Sequence, residues 1–549
     1  MTSDAVILDG YVDEPACLGV PPYISPYIRY CAGVLVEHGY TVRYTTIDAV
    51  RKNPAVLRTF NDASLLLVIA GITVPGKYLA GTPATLIELS QIGVQVRGPE
   101  KVLGGPIGFG YSPQGGKKAV ETAAAGFDHL LAGSPSAALD SLLSGGEPAG
   151  TAEYADIDRW SVLGAPVIGQ HPLFPRVMCE LETARGCSRA AGGGCSFCTE
   201  PFYGLPRYRS AAGVAAEVAA LYAAGARHFR LGRQPDLLAF GTGGGDEFPR
   251  PRPDLLADLF ARIRVAAPDL QTLHIDNVNP GTIARHEEES REALAAIVAG
   301  HTPGDVAAFG METADPAVIR ANNLKALPDE VFRAIEIVNE VGGGRRDGVP
   351  DLLPGLNFVC GLAGETAETY AQNRAFLERV LAAGLQVRRV NIRQLMPFMG
   401  TRAYEENTLG KHEGAFRAFK EWVRKEFDLP MLRRVFPAGT LLSNVGVEIS
   451  GQTSFGRQMG SYPILVGLPL SLPEGTVTDA VVVDWGMRSI TALPAPIEVN
   501  TLPPSAIRSI PGVGKKTAVT VLAKRPFADL AAFRKVAGET VVDGYLSFE

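Results

Sequence analysis

Hydrophobic and polar positions over the first 150 residues follow two rhythms. The apolar runs "AVILDG" (5–10), "TVRYTTID" (41–48), "SLLLVIAGI" (64–72) and "KVLGGPIGF" (101–109) read as buried strands. Between the first two, "YIRYCAGVLVEHGY" (27–40) carries its apolar residues at helical spacing. Strands that alternate with helical sequence predict a parallel sheet wound by helices. The unit closes after "SAALDSLLSGG" (136–146), and the small and polar residues around 150–172 predict a linker.

A second alternating series begins at "RVMCELETARGC" (176–187). Its further strand candidates are "RHFRLG" (227–232), "TLHIDNV" (272–278), "VAAFGMET" (306–313), "LNFVCGL" (356–362) and "VRRVNIRQLMP" (387–397). Helical patterns such as "AAGVAAEVAALYAAG" (211–225) and "PDEVFRAIEIVNEVGG" (328–343) separate them. Six βα units predict an open or partial barrel over 173–428, with functional residues at the C-terminal ends of its strands. After residue 430 the helical spacing stops. "LLSNVGVEI", "YPILVGLPL", "AVVVDWG" and "RSITALP" are short strands that predict a small β-barrel over 431–500, and 501–549 is helical again.

Charge and composition narrow the function classes. The net charge of -6 over 549 residues does not suit a global nucleic-acid binder, though a local basic patch is compatible with it. The apolar run "LLLVIAGITV" (65–74) is far shorter than the ~18 residues of a membrane span. The start "MTSDAVILDG" has no charged region or cleavage signature, so a cytoplasmic protein is expected. Seven cysteines in a chain of this length make no disulfide framework. In a reducing compartment, clustered cysteines point instead to metal or redox chemistry.

Three of the seven fall in "CSRAAGGGCSFC", as Cys187-x7-Cys195-x2-Cys198, just past the first strand of the second series. A structural zinc site takes four ligands, usually as two spaced pairs. Here a fourth is missing: Cys179 lies inside the strand, and no histidine falls in the cluster. Three thiolates suit a 4Fe–4S cluster with one iron left open, with zinc or three unrelated thiols as the alternatives. The run of glycines lets the backbone bend around a bulky group.

The strand, the cysteine loop and Phe197 before the last cysteine resemble the radical S-adenosylmethionine (SAM) superfamily, whose usual signature is C-x3-C-x2-C. Four extra residues enlarge the first spacing here. "FRLGRQPD", "GMETADPAVIRANNLKA", "NFVCGLAGETAETY" and "RQLMPFMGTRAY" resemble, in order, later strand ends of its methylthiotransferase-like and Elongator-like members. The resemblance implies that Cys187, Cys195 and Cys198 hold a 4Fe–4S cluster whose open iron chelates SAM. It places Phe197 near the adenine, Gly232 and Gln234 at the methionine amine, and Glu312 at a polar contact to SAM. Gly361 and Gly364 would admit the adenine close to backbone. Each of these also has a plainer reading: the glycines as turns, Glu312 as an acid at a helix start.

The flanks carry weaker likenesses. Residues 1–150 resemble the flavodoxin-like, cobalamin-binding-like domain often fused to these barrels, with "VLGGPIG" at the matching strand end. The D-x-H-x-x-G motif that offers a histidine to cobalt is absent, and His38 and His129 stand in other contexts, so cobalamin is not the expected cofactor. A methylthiotransferase would need three more cluster cysteines there; Cys17 and Cys31 fall short and, with Cys179 and Cys360, read as core thiols. "GQTSFGRQMGSYPILVGLP" loosely resembles the RNA-binding TRAM barrel. "IRSIPGVGKKTAVTVL" resembles a helix-hairpin-helix motif, in which Gly512, Gly514, Lys515 and Lys516 would hold a nucleic-acid phosphate. Residues 501–549 carry seven Lys or Arg against four acids.

The whole order resembles archaeal radical SAM proteins with a C-terminal helix-hairpin-helix motif. It implies a radical SAM enzyme that takes electrons from a ferredoxin or flavodoxin type of donor and modifies a nucleic acid. The alternatives are a protein or small-molecule substrate with the tail docking a partner, and a non-catalytic cluster-bearing nucleic-acid-binding protein.

Overall fold

The computed structural model of the chain describes residues 3–72, 81–112, 114–122, 125–243, 245–346 and 348–549. The last two positions of the apolar run 65–74 lie outside them. Among the described residues no helix is long and apolar enough to cross a membrane.

The N-terminal strands are β1 (Ser3–Glu14), β2 (Tyr40–Thr46), β3 (Leu65–Ile72), β4 (Glu100–Gly104) and β5 (His129–Leu130). They pair in parallel in the order β2-β1-β3-β4-β5. This is the flavodoxin order, whose ligand crevice lies past the strand ends where the order reverses, between β1 and β3. The central strands β1 and β3 carry long apolar runs because both faces are covered. Ala5 and Ile7 face one core, and Val6 and Leu8 the other.

The expected linker is a structural element. Its residues form the helix Tyr154–Leu163 and the 3-10 turn Ala165–Gln170, with Trp160 fully buried. The small residues there serve close packing on the helix α1 (Pro26–Glu37). A Cβ on Gly33 would lie 2.0 Å from the Trp160 carbonyl oxygen, and one on Gly164 would lie 1.8 Å from that of Arg29. Arg29 itself pairs with Glu217 at 2.7 Å, on the helix Ala211–Ala223, and so ties the first domain to the second.

The second series forms six parallel strands: β6 (Met178–Glu182), β7 (His228–Arg233), β8 (Thr272–Ile275), β9 (Asp305–Glu312), β10 (Leu352–Cys360) and β11 (Arg389–Gln394). β6–β8 and β9–β11 are two sheets joined through a bridge between Asn277 and Ala308. At the β6 edge, Tyr23–Ile24 of the first domain adds a short parallel strand. The N-terminal domain also docks on the chain after β11, where Gly116 and Ala119 donate to the carbonyls of Leu395 and Pro397.

The small barrel is closed and five-stranded: β12 (Leu441–Ile449), β13 (Ser454–Arg457), β14 (Leu465–Leu468), β15 (Val477–Trp485) and β16 (Ser489–Ala495), in the order β12-β13-β14-β16-β15. β13, four residues long, escaped the sequence reading because it carries no apolar run. β14 and β16 are parallel and the other pairs antiparallel, the connectivity of an OB-fold.

The barrel covers the N-terminal ends of the β6–β11 strands, and its β13–β14 loop fills the lumen from there. Tyr23 Oη donates to the Gly460 carbonyl (2.7 Å), Ser461 N to His274 Nδ1 (2.8 Å) and Tyr462 Oη to Asp276 Oδ1 (2.8 Å).

The tail is not a separate module. Ile507, Ile510, Val513 and Phe533 share one core with Val481, Val483 and Leu493 of β15 and β16.

Candidate functional site

The cysteine loop leaves β6 at Gly186 and is a compact turn. The four extra residues form a 3-10 turn over Ala190–Gly192, followed by left-handed Gly193 and Gly194 (φ 79° and 61°). A Cβ on Gly194 would lie 2.5 Å from Pro201 Cγ, so this position needs glycine on two counts.

The turn is clamped by the residues that end the helix Pro316–Ala321. Ser196 Oγ donates to Asn322 Oδ1 at 2.7 Å, and Asn323 Nδ2 donates to the carbonyls of Gly194 (2.9 Å) and Gly192 (3.1 Å). Arg189, within the loop, donates to the Asn323 carbonyl (2.8 Å) and to Cys195 Sγ (3.4 Å) and pairs with Glu247 (2.6 Å). The segment "NNLK" therefore belongs to the site, although the sequence reading assigned it no role. Its signal was a polar pair directly after an apolar helix.

The three thiols lie within electrostatic reach of one another, but among the described residues no group of three or more His, Cys, Asp or Glu is arranged to hold a metal ion. Burial pushes Cys187 up to about 11 and raises Cys195 and Cys198, and each neighbouring thiolate adds to the cost of ionising Cys198. The compensating charge is Lys325. Burial works against its ammonium, but Cys195, Cys187, Glu312 and Cys198 together hold its pKa above the usual value. Glu312 is buried with a left-handed backbone (φ 63°), and burial pushes its carboxyl up to about 7 against the pull of Lys325 and Arg393. Such an outlier on a non-glycine residue stores strain of the kind concentrated at functional sites.

These residues border a cavity of about 840 Å³. Its other walls are the segment after β1, the ends of β8–β11, the loop at Tyr462 and a π-helical turn over Val423–Asp428. The segment at the end of β1 thus lines the same space as the cysteine loop. Of the residues expected from sequence, Cys195, Cys198, Phe197 and Glu312 border it, and Cys187, Gly232, Gln234, Gly361 and Gly364 do not. Cys17, expected as a core thiol, is buried and also lies on the wall.

The glycines divide. A Cβ on Gly232 would lie 1.9 Å from Glu180 Oε1, so Gly232 makes room for a carboxylate of its own chain. Gly361 and Gly364 are left-handed (φ 106° and 81°) and form a turn, and at Gly361 a Cβ would meet Leu409 at 2.6 Å. Both results favour the plainer reading. Gln234 is different: it is buried, and its Oε1 has no partner among the described residues. A buried acceptor without a donor calls for a ligand or water.

At the tail, Gly512 is left-handed (φ 84°), while Gly514 (φ −72°) precedes the helix Lys515–Ala523 with open space around it. The backbone therefore requires glycine at 512 alone. Lys515 and Lys516 are exposed. They belong to a unit packed on the small barrel, which covers the strand ends opposite the cysteine loop.

Comparison with known proteins follows the same outline. No family model matches the chain. An uncharacterized protein of Archaeoglobus fulgidus is 42% identical over 539 residues, covering 97% of this chain and 98% of that one. An uncharacterized protein of Methanocaldococcus jannaschii is 44% identical over 509 residues, covering 89% and 93%. The chain belongs to their family.

For the family's fold, the radical SAM methyltransferase TsrM of Kitasatospora setae, solved with tryptophan and a SAM analog, superposes with a TM-score of 0.50. The identity is 17%, over 73% of this chain and 74% of that one. The same enzyme solved with cobalamin and a 4Fe–4S cluster also gives 0.50, at 15% identity. At this identity the likeness shows a shared α/β multidomain fold.

Toward a cluster and SAM the residues present offer three thiols on one loop, a buried Arg189 and a half-buried Lys325 beside them, and, away from the cavity, an unsatisfied acceptor on Gln234. No histidine is among the described residues that line the cavity. His38 and His129 are ion-paired elsewhere, with Asp140 and Glu100, each at 2.8 Å.

Proposed function

We propose that the protein is a radical SAM enzyme, with Cys187, Cys195 and Cys198 holding a 4Fe–4S cluster. The observation that carries this reading is the thiol triad clamped by Asn322 and Asn323, with Lys325 among the thiols and Glu312 on the same wall. The reduced cluster, fed by a ferredoxin or flavodoxin type of donor, would supply one electron to SAM. The C5′–S bond then breaks to methionine and a 5′-deoxyadenosyl radical, which takes a hydrogen atom from the substrate.

The chain's own part is to bind and orient. Lys325 offers the methionine carboxylate a buried ammonium, Gln234 Oε1 offers its amine an acceptor, and Phe197 presents an apolar face to the adenine. No step requires a corrinoid.

SAM binding tests these roles. In anaerobically prepared protein, Gln234→Ala and Lys325→Met should each weaken SAM binding in calorimetry about tenfold or more, as expected when a buried polar partner is lost. Iron content should stay at the wild-type level. Unchanged SAM affinity in both variants would remove these assignments.

A second reading concerns the substrate, a nucleic acid recruited by the tail. It is favoured by exposed Lys515 and Lys516 at the start of a nine-residue helix and by the OB order of the small barrel. Because the tail shares the barrel's core, the test belongs on the full chain. Affinity for RNA or DNA should fall steeply with salt. In the double variant Lys515→Glu, Lys516→Glu the log–log slope should be shallower by about 0.9 per lost phosphate contact on duplex DNA, or about 0.7 on single strands. If no RNA or DNA binds in a salt-dependent way, the tail is a protein-docking element.

A further inference from the structure

Charges on the cavity wall are sorted by side. Toward the first domain the acids are matched by cations: Glu200 pairs with Arg233 (2.8 Å), and Glu180 (2.8 Å) and Asp276 pair with Arg230. On the other side cations prevail. Arg389 and Arg393 lie four positions apart on β11, an even spacing that puts both on one face of the strand. The β15–β16 turn adds Arg488, and the π-helical turn adds Arg424. The carboxylate among them is Asp428, 3.3 Å from Arg488.

Neither Arg389 nor Arg393 forms an ion pair with any described residue, although both line the cavity. Arg389 lies over the Tyr462 ring at 4.1 Å, and that ring is presented by a left-handed residue (φ 53°). Burial, with repulsion from Arg393 and Arg488, lowers Arg389 to about 10. The balance is short of negative charge by at least one group. Both guanidinium groups are half-buried, and their planar forks match carboxylate and phosphate oxygens two at a time.

We propose that Arg389 and Arg393 bind the carboxylate or phosphate group of a small-molecule substrate inside this cavity, with Arg488 at its exposed rim. This rests on the reading of the same cavity as the SAM site, and it adds the substrate class. The volume is that of a small-molecule pocket. Arg393 also reaches electrostatically to Glu312, so the anchored group would lie beside the SAM-binding wall.

Calorimetry of the full-length, iron-loaded protein at constant ionic strength, with saturating SAM, tests this with inorganic phosphate and citrate as probes. One probe should bind saturably at one per chain: phosphate indicates a phosphorylated substrate, citrate a carboxylic acid. Arg389→Gln and Arg393→Gln should each weaken that binding about tenfold or more, while iron content and SAM affinity stay within about twofold. Arg393→Lys should recover part of the loss.

The proposal is overturned if neither probe binds, if the variants bind as wild type, if SAM displaces the probe, or if a short oligonucleotide alone uses these arginines. Failure of the cluster reading would be seen separately. An iron-free Cys195→Ala protein that keeps arginine-dependent anion binding leaves this inference standing while the SAM site falls.

Discussion

Replacing Cys195 with alanine should strip the protein of iron and sulfide and abolish 5′-deoxyadenosine formation. Wild-type protein prepared without oxygen should be brown and carry about four irons at this site, the load of a cluster on three cysteine thiolates. Cys195 is the central one of the three. It accepts from Arg189, it contributes most among its neighbours to the charge on Lys325, and it faces the cavity. The clamp by Asn322 and Asn323 does not depend on its sulfur, so the variant should fold with wild-type circular dichroism. Iron and sulfide assays on matched anaerobic preparations decide the matter. A full load in the variant would show that the ligands are misassigned, and zinc in the wild-type site would end the radical SAM reading.

Arg230→Met should cost about 3–5 kcal/mol of stability, the usual loss when one member of a buried ion pair is removed. Arg230 is buried within the lumen, bidentate to Glu180 at 2.8 and 2.9 Å, paired with Asp276, and bonded through Nε to Ser461 Oγ at 3.1 Å. The substitution leaves two buried carboxylates without a counter-ion and loosens the loop that plugs the barrel. Burial already pushes Glu180 up to about 7 with Arg230 in place, and without it the folded-state pKa rises further. The folded variant then holds protons that the unfolded chain releases, so its stability falls as pH rises through that range. The deficit should be larger at pH 8 than at pH 6. Urea unfolding at both pH values measures it, and a loss below about 1 kcal/mol at pH 8 would mean that the plug does not depend on this network.

Much of the architecture was legible before any coordinates. The strands at 4–9, 64–72 and 101–109 and all six of the second series were visible because strands covered on both faces are continuously apolar. β13 was not, because a four-residue strand of a small barrel carries only a few inward side chains. The helix Tyr154–Leu163 was mistaken for a linker because the small residues that permit close helix packing have the composition of a loop.

The candidate site divides in the same way. That Cys187, Cys195 and Cys198 neighbour one another could be expected from spacing alone, since residues on one short loop must be close in space. Asn322, Asn323 and Lys325 were not, because they lie about 130 residues further on and meet the loop only when β6 and β9 enter one barrel. The roles of single glycines were misjudged for the opposite reason. A glycine permits close approach, but its neighbours decide what approaches, and at Gly232 it is Glu180.

By itself, then, the sequence determined the succession of strand-rich and helical segments and the spacing of the three cysteines, both properties of local pattern. The tertiary structure decided what no local pattern encodes. The end of β1 and the cysteine loop line one cavity, the small barrel plugs the lumen through Ser461 and Tyr462, and Arg389 and Arg393 gather without an ion-pair partner among the described residues. The physical reason is that charge balance and enclosure are properties of side chains brought together from distant segments, each of which, read alone, looks like an ordinary polar position.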